Sequence, residues 1–191
     1  PSKGIIAPNF PYLDIARDYA AAGADAVSCL TEPMWFLGSD QIFTEIRQTI
    51  SLPMIRKDFT VSEYQIYQAC LMGADCVLLI CALLDTATIA KYLRLCDELG
   101  LSALVEAHDA REIRSAIAAG AKMIGVNNRN LKDFSVDFTN AARLRDLIPP
   151  EAVYVAESGV ARPADVAALM CTRADAGLRV VVLMCARDKE D

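Results

Sequence analysis

The sequence is poor in the residues that usually build metal sites and histidine triads. Among 191 residues it has one histidine, His108, and its seven cysteines never occur in CxxC spacing. Structural zinc needs several cysteine or histidine ligands at short spacing, so we expect no metal. No G-x-G-x-x-G motif follows an apolar run, which argues against a dinucleotide-binding fold.

The sequence also lacks an excess of positive charge and any long apolar run. It has 19 basic and 25 acidic residues, a net charge of −6, without a basic tract. This balance argues against nucleic acid or an anionic membrane as a partner. No apolar run approaches the roughly 20 residues that span a bilayer, and no signal-peptide pattern opens the chain. The odd number of cysteines, mostly within apolar runs, favours reduced thiols and a cytoplasmic location.

What the sequence does contain is a series of short apolar runs separated by longer amphipathic ones. The short runs are apolar at consecutive positions, a pattern typical of parallel strands that are buried on both faces. They cover 26–31, 53–57, 76–80, 103–107, 123–127, 153–157 and 179–184. The segments between them have helical periodicity, clearest in 86–99.

Helix ends are also marked in the sequence. Ser62 with Gln65 has the spacing of a capping box, and Asp109 with Glu112 is a close variant. Three similar segments, AAGADAV, LMGADCV and AAGAKMI, each place a glycine between a helix and the next strand. Glycine at this point ends a helix in the left-handed region. The three glycines are Gly23, Gly73 and Gly120.

An alternation of strands and helices without hairpin signals belongs to the α/β class and leaves two architectures, a doubly wound sheet and a (β/α)8 TIM barrel. Polar residues cluster at the carboxyl ends of many strands, and only a barrel collects all those ends into one ring. We therefore predict a single barrel domain over residues 1–191. The polar clusters are Thr31-Glu32, Lys57-Asp58, Glu106-His108, Asn127-Asn128-Arg129 and Glu157-Ser158-Gly159.

Lys57 is the only lysine in this ring. It could be a Schiff-base nucleophile, a general acid or half of a structural ion pair. A Schiff base needs a neutral amine, whereas the carboxylates of Asp58, Glu106 and Glu157 are expected to keep Lys57 protonated. The sequence therefore favours a general acid, with the structural ion pair as the alternative.

The other strand-end residues allow two interpretations each. Glu106 could be a general base or the partner of Lys57. Asn127 and Arg129 could bind a polar or anionic substrate group, although Arg129 could equally form a salt bridge within its loop. The backbone N–H groups of Ser158 and Gly159 could hold a phosphate, because the last two strand-end loops of barrels often do so.

Several longer segments resemble one enzyme family. They are PSKG, TEPMWFLGS, IRKDFTVSEYQIYQA, GADCVLLI, LVEAHD, IGVNNRNL and VAESGV, in order from Pro1 to about Ala168. Together they resemble indole-3-glycerol phosphate synthase of tryptophan biosynthesis. The resemblance implies a TIM barrel that converts 1-(2-carboxyphenylamino)-1-deoxyribulose 5-phosphate to indole-3-glycerol phosphate. The reaction comprises ring closure, decarboxylation and dehydration, and it uses no cofactor.

The resemblance also implies residue roles. Lys57 matches the family's general acid, Glu106 matches a catalytic glutamate, and Asn127 matches a catalytic asparagine that contacts the substrate. The remaining matches imply substrate binding, including an aromatic wall at Phe36 and phosphate contacts at the Ser-Gly turn. These residues are Ser2, Phe36, Arg129, Glu157, Ser158 and Gly159.

The resemblance begins after the family's first barrel strand, which carries E-x-K. We therefore expect strands two to eight of the barrel, an N-terminally incomplete domain and a sequence that is an incomplete record of a longer enzyme. The C-terminal segment has no glycine after Gly177, so part of the phosphate site is expected to be missing.

Two other readings remain open. One is another phosphate-binding barrel enzyme, such as phosphoribosylanthranilate isomerase. The other is a non-catalytic barrel that binds phosphates or serves as a domain beside another tryptophan-pathway enzyme. The expected partner is a phosphorylated small molecule. The chain is expected to be a monomer, with possible fusion to, or association with, another enzyme of the pathway.

Overall fold

The computed structural model describes residues 10–128, 143–158 and 174–178. Within these ranges one sheet contains seven parallel strands whose spatial order is their order in the chain. A doubly wound sheet would reverse its strand order at a switch point, whereas a (β/α)8 barrel adds each strand beside the previous one. The prediction of a partial TIM barrel is therefore confirmed. The strands are β1 (Val27–Leu30), β2 (Met54–Lys57), β3 (Cys76–Ile80), β4 (Ser102–Ala107), β5 (Met123–Asn127), β6 (Val153–Glu157) and β7 (Ala176–Leu178).

The first six predicted strands coincide with β1–β6 to within one residue at each end. The seventh prediction, 179–184, lies outside the described residues, and the structure has β7 directly before it. The helices that precede and connect β1–β5 pack against the outer face of the sheet. They are α1 (Tyr12–Ala21), α2 (Asp40–Thr49), α3 (Glu63–Leu71), α4 (Thr86–Leu99) and α5 (Ala110–Ala119), and a 3₁₀ helix (Arg145–Leu147) precedes β6. No helix in the described ranges is long and apolar enough to cross a membrane.

Both predicted helix starts are present. Ser62 caps α3, and the Gln65 side chain accepts a hydrogen bond from the Ser62 N–H, which completes the capping box. Asp109 caps α5 by accepting the N–H groups of Arg111 and Glu112. The Glu112 carboxylate, however, does not accept the N–H of Asp109 as a capping box would require. It accepts the N–H of His108, the residue before Asp109. The three predicted glycines all have positive φ, between 79° and 88°.

Alternation along the strands divides the buried residues into two layers. Residues on one face of the sheet pack against the helices and form the larger core. Residues on the other face form a smaller apolar cluster inside the barrel, built on Leu78, Ile80, Leu104 and Val155. At the carboxyl ends of the strands this inner face changes from apolar to polar. The inner apolar layer thus forms the floor beneath a polar end of the barrel.

Arg56 secures the end of β2 on the outer side of the sheet. It is buried, and its guanidinium donates hydrogen bonds to Thr31 Oγ1 at 3.1 Å, to the Gln65 carbonyl at 2.9 Å and to Gln68 Oε1 at 3.0 Å. It also forms an ion pair with Asp40 at 3.2 Å. Because successive strand residues point to opposite faces, anchoring Arg56 outside directs its neighbour Lys57 into the barrel.

Candidate active site

Three predicted catalytic residues converge at the polar end of the barrel. Lys57 ends β2, Glu106 is the penultimate residue of β4, and Asn127 ends β5. The Lys57 ammonium lies 3.8 Å from Glu106 Oε2, and Asn127 Nδ2 donates a 3.0 Å hydrogen bond to Glu106 Oε1. Asp58 does not take part, because its carboxylate accepts from the Thr31 hydroxyl at 2.6 Å and pairs with Arg56. Glu106 is therefore the centre of the cluster.

Glu106 is held as an anion although it is almost fully buried. Burial alone would raise the pKa of its carboxyl. The contact with His108, at 3.3 Å, the charge of Lys57 and the Asn127 amide outweigh this effect and lower the pKa to about 2. Hydrogen bonds and opposite charges favour the ionised form, which is the usual reason a buried carboxylate stays charged. The sequence allowed Glu106 to be a general base or the partner of Lys57. The structure shows the contact with Lys57, and this contact is compatible with a role as general base.

The pKa of Glu157 is shifted in the opposite direction from that of Glu106. It ends β6, directly opposite Asn127 in the sheet register, and is 1 % exposed. Burial and repulsion by the Glu106 charge raise the pKa of its carboxyl to about 8, although Lys57 acts in the other direction. Two neighbouring carboxyl groups whose pKa values are pushed apart are typical of sites that carry out both acid and base chemistry.

Gly125 makes the space that the Glu157 side chain occupies. Gly125 pairs with Glu106 in the sheet, and a Cβ added to it would lie 1.9 Å from Glu157 Oε1. Any side chain at this position would therefore displace the carboxyl group. Sequence reasoning missed this residue. Its signal was a glycine inside the apolar strand MIGVN, where glycine often marks close approach of another group.

The predicted aromatic residue Phe36 lies in a loop organised by one carboxylate. Glu32 accepts the backbone N–H groups of Met34, Trp35 and Phe36 at 2.6–2.9 Å. Burial raises the pKa of its carboxyl, but the three hydrogen bonds together outweigh burial and lower the pKa. The Phe36 ring lies 6.0 Å, centroid to centroid, from that of Phe59, two residues beyond Lys57. Both rings are partly exposed. They form an accessible aromatic surface beside the strand end that carries Lys57.

The remaining predicted binding residues are only partly described. Ser2, Arg129 and Gly159 lie outside the described residues. Ser158 follows β6 with a φ of 64°, and its carbonyl accepts a hydrogen bond from Asn128 Nδ2 at 3.4 Å. Their roles stay predictions. In the part of the chain that is described, no group of three or more His, Cys, Asp or Glu side chains could hold a metal ion.

Comparison with known sequences identifies the family. The sequence profile of the family described as indole-3-glycerol phosphate synthase matches residues 1–191. The chain belongs to the indole-3-glycerol phosphate synthase family. It is 57 % identical to the indole-3-glycerol phosphate synthase of Ruminiclostridium cellulolyticum, over 98 % of this chain and 72 % of that protein. It is 49 % identical to that of Lactiplantibacillus plantarum, over 99 % of this chain and 73 % of the relative. The predicted family is confirmed.

Solved structures support the barrel architecture of this synthase family member. Thiamine phosphate pyrophosphorylase from Pyrococcus furiosus superposes with a TM-score of 0.74 at 17 % identity, covering 94 % of this chain and 84 % of that one. The N-acetylmannosamine-6-phosphate 2-epimerase of Clostridium perfringens gives a TM-score of 0.73 at 13 % identity, covering 95 % and 83 %. At such low identity the likeness concerns the fold alone.

Proposed function

We propose that this chain catalyses the indole-3-glycerol phosphate synthase reaction, a carbon–carbon lyase step of tryptophan biosynthesis. The observation that carries the proposal is the convergence of Lys57, Glu106 and Asn127 at one end of a barrel whose sequence matches that family along its whole length. The family match favours the synthase over an isomerase of the same pathway. The catalytic cluster favours an enzyme over a barrel that only binds phosphates.

Lys57 acts as the general acid in ring closure. The aromatic carbon that bears the carboxylate attacks the ketone carbon of the substrate, and the ketone oxygen takes the proton of the Lys57 ammonium to become a hydroxyl. The ion pair with Glu106, at 3.8 Å, holds the ammonium at the barrel mouth. A positioned proton donor of this kind typically contributes about 10²–10⁴-fold to the rate. Loss of CO₂ then returns the bond's electron pair to the ring, and no cofactor is needed.

Dehydration removes the new hydroxyl as water and needs one acid and one base. Glu106 is a carboxylate next to Lys57, and its place at the centre of the cluster assigns it the role of accepting the substrate proton. Asn127 holds the Glu106 carboxylate in place and contacts the substrate. Glu157, whose raised pKa keeps it protonated at neutral pH, donates a hydrogen bond to a substrate hydroxyl.

The rest of the substrate is bound around this centre. Phe36, next to Phe59, packs on the aryl ring. Ser158 and Gly159 hold the phosphate through backbone N–H groups at the last strand-end loops, as barrels commonly do. Arg129 binds the substrate carboxylate, and Ser2 contributes a further polar contact. The monomeric state, a pathway partner and a cytoplasmic location stay predictions.

The role of Lys57 is tested with the Lys57→Met variant. We expect the wild-type chain to produce indole fluorescence when 1-(2-carboxyphenylamino)-1-deoxyribulose 5-phosphate is added. The variant should lose ring closure while substrate Kd changes by less than about tenfold, because the general acid acts mainly in the transition state. Lys91→Met is a matched control, since Lys91 pairs with Glu63 on the outer helices.

Two results would contradict the proposal. Unchanged turnover in Lys57→Met would make the lysine a structural half of its ion pair with Glu106. Absence of indole fluorescence from well-folded wild-type chain would reject the synthase activity itself. Loss of activity in Lys91→Met would show that the assay responds to folding rather than to chemistry.

A further inference from the structure

His108, the only histidine of the chain, lies between two carboxylates directly beyond β4. Its Nε2 is 3.3 Å from Glu106 Oε1, and its Nδ1 is 3.1 Å from Glu112 Oε2. The same Glu112 oxygen accepts the backbone N–H of His108 at 2.7 Å. Glu112 therefore fixes both the backbone and the ring of His108, and the ring faces the central carboxylate of the candidate active site.

We infer that His108, held by Glu112, is a positioning residue that keeps the Glu106 carboxylate ionised and determines which of its oxygens faces Lys57. The inference rests on the proposed function, because it assigns His108 an effect on the reaction through Glu106. It adds a Glu112–His108–Glu106 chain to the catalytic cluster. None of these contacts requires His108 to touch the substrate.

The two oxygens of Glu106 have different surroundings. Oε1 accepts the Asn127 amide at 3.0 Å and lies 3.3 Å from His108, whereas Oε2 lies 3.8 Å from the Lys57 ammonium. With two groups holding Oε1, a rotation of the carboxylate would break both contacts. The arrangement therefore leaves Oε2 as the oxygen that faces Lys57 and an incoming substrate. A base in a fixed orientation is the geometry that proton transfer requires.

The charge on His108 follows from its two carboxylate neighbours. Burial alone would lower the pKa of the imidazole, but the close contact with Glu106, the hydrogen bond to Glu112 and the charges of both carboxylates outweigh burial and raise the pKa to about 9. His108 is therefore a cation at neutral pH. A cation on Oε1 stabilises the ionised form of Glu106 without occupying the oxygen that faces Lys57.

The other groups around His108 do not cancel this charge. Cys81, which follows β3, donates its thiol to the Glu112 carbonyl, and burial raises the pKa of the thiol to about 12, so it stays neutral. Asp109 accepts the first N–H groups of α5. Lys57 lies on the far oxygen of Glu106, and burial together with the Glu106 charge raises the pKa of the Glu157 carboxyl, which favours its neutral form.

A purely structural reading is that His108 and Glu112 only secure the start of α5. Such a role would affect stability but would not couple His108 to the ionisation of Glu106. Coupling of the two ionisations is therefore the property to measure. Because the chain has one histidine, a histidine resonance followed by NMR in tag-free protein needs no assignment.

The first experiment follows the titration of His108. We expect the midpoint in the wild-type chain to lie well above 6.5, near 9. Glu106→Gln and Glu112→Gln should each lower it by about one pH unit or more, because each removes an adjacent negative charge. Glu98→Gln, on the exposed face of α4, is the matched control and should leave the midpoint unchanged.

The second experiment measures kcat and KM at neutral pH for wild type and His108→Gln. Losing the cation raises the pKa of the Glu106 carboxyl, but from a starting value of about 2 the carboxyl stays ionised at neutral pH, so a loss of rate there reports its orientation. At neutral pH we expect kcat to fall about tenfold while KM changes less than about threefold, since only a positioned group is lost. Glu112→Gln should lower kcat in the same way by a smaller amount.

Two results would overturn the inference. One is a His108 midpoint near 6.5 that does not respond to Glu106→Gln, which needs no turnover to be observed. The other is an active wild type whose kcat at neutral pH is matched by that of His108→Gln. A coupled titration in a wild-type chain without turnover would support the Glu112–His108–Glu106 contacts and place the failure in the proposed function.

Discussion

Replacing Gly125 with alanine should disturb the active site from inside the barrel wall. The new Cβ would lie 1.9 Å from Glu157 Oε1, 3.0 Å from Glu157 Cδ and 3.2 Å from Leu104 Cδ1. Non-bonded heavy atoms normally approach to roughly 3.5 Å. The Glu157 carboxyl must therefore move by about 1.5 Å, and it is 1 % exposed, with little room to do so.

The expected cost has two opposing parts. Overpacking a buried site costs about 1–3 kcal/mol, whereas the loss of glycine entropy in the unfolded chain returns about 0.4–1 kcal/mol. The backbone of Gly125 does not have positive φ, so alanine adds no backbone strain. A net loss of about 1–2 kcal/mol in the free energy of unfolding follows. Because displacing an active-site group by about 1 Å can cost about 10²-fold in rate, kcat should fall by that order.

Urea unfolding and indole fluorescence measure the two effects, and a second substitution tests their cause. Glu157→Asp shortens the side chain by one methylene, so in the Gly125→Ala background it should restore stability without restoring activity. Glu157→Asp alone is the control and should be less stable than wild type, because it leaves a gap. A Gly125→Ala variant with wild-type stability and turnover would refute the steric argument. A double variant no more stable than Gly125→Ala would refute it as well.

Two further variants probe the supports of the site. Arg56→Met should lower the free energy of unfolding, measured with urea, by about 3 kcal/mol. The reason is that Thr31 loses a buried hydrogen-bond donor and Asp40 loses its cation. An unchanged unfolding midpoint would contradict this. Glu32→Gln should raise KM roughly threefold without changing the unfolding midpoint, because a neutral acceptor holds the Phe36 loop less firmly. Unchanged KM would show that the loop orders without the carboxylate.

The strand pattern shows how much of the fold was predictable. Six of the seven runs were located to within a residue, because burial on both faces demands consecutive apolar residues and leaves a local signature. The starts of α3 and α5 were equally local, since capping side chains act within three residues. The barrel itself followed from polar residues at the ends of many strands, which only one architecture gathers.

Individual site residues were predictable to the extent that they break a local pattern. Lys57 and Asn127 end apolar strands, and Glu106 stands one residue before the end of another, so their sequence positions alone mark them as candidate site residues. Gly125 and His108 break no comparable rule. A glycine in a strand and a histidine after one have many ordinary explanations, and neither was assigned a role from the sequence.

The sequence by itself therefore determined the elements, the barrel class and which side chains stand at its polar end. Only the tertiary structure decided which of those side chains touch. Glu106 meets Asn127, 21 residues away, and Lys57, from another strand, because the sheet register brings their ends together. The opposite pKa shifts of Glu106 and Glu157 arise from those contacts and from burial, neither of which is a property of the residues themselves.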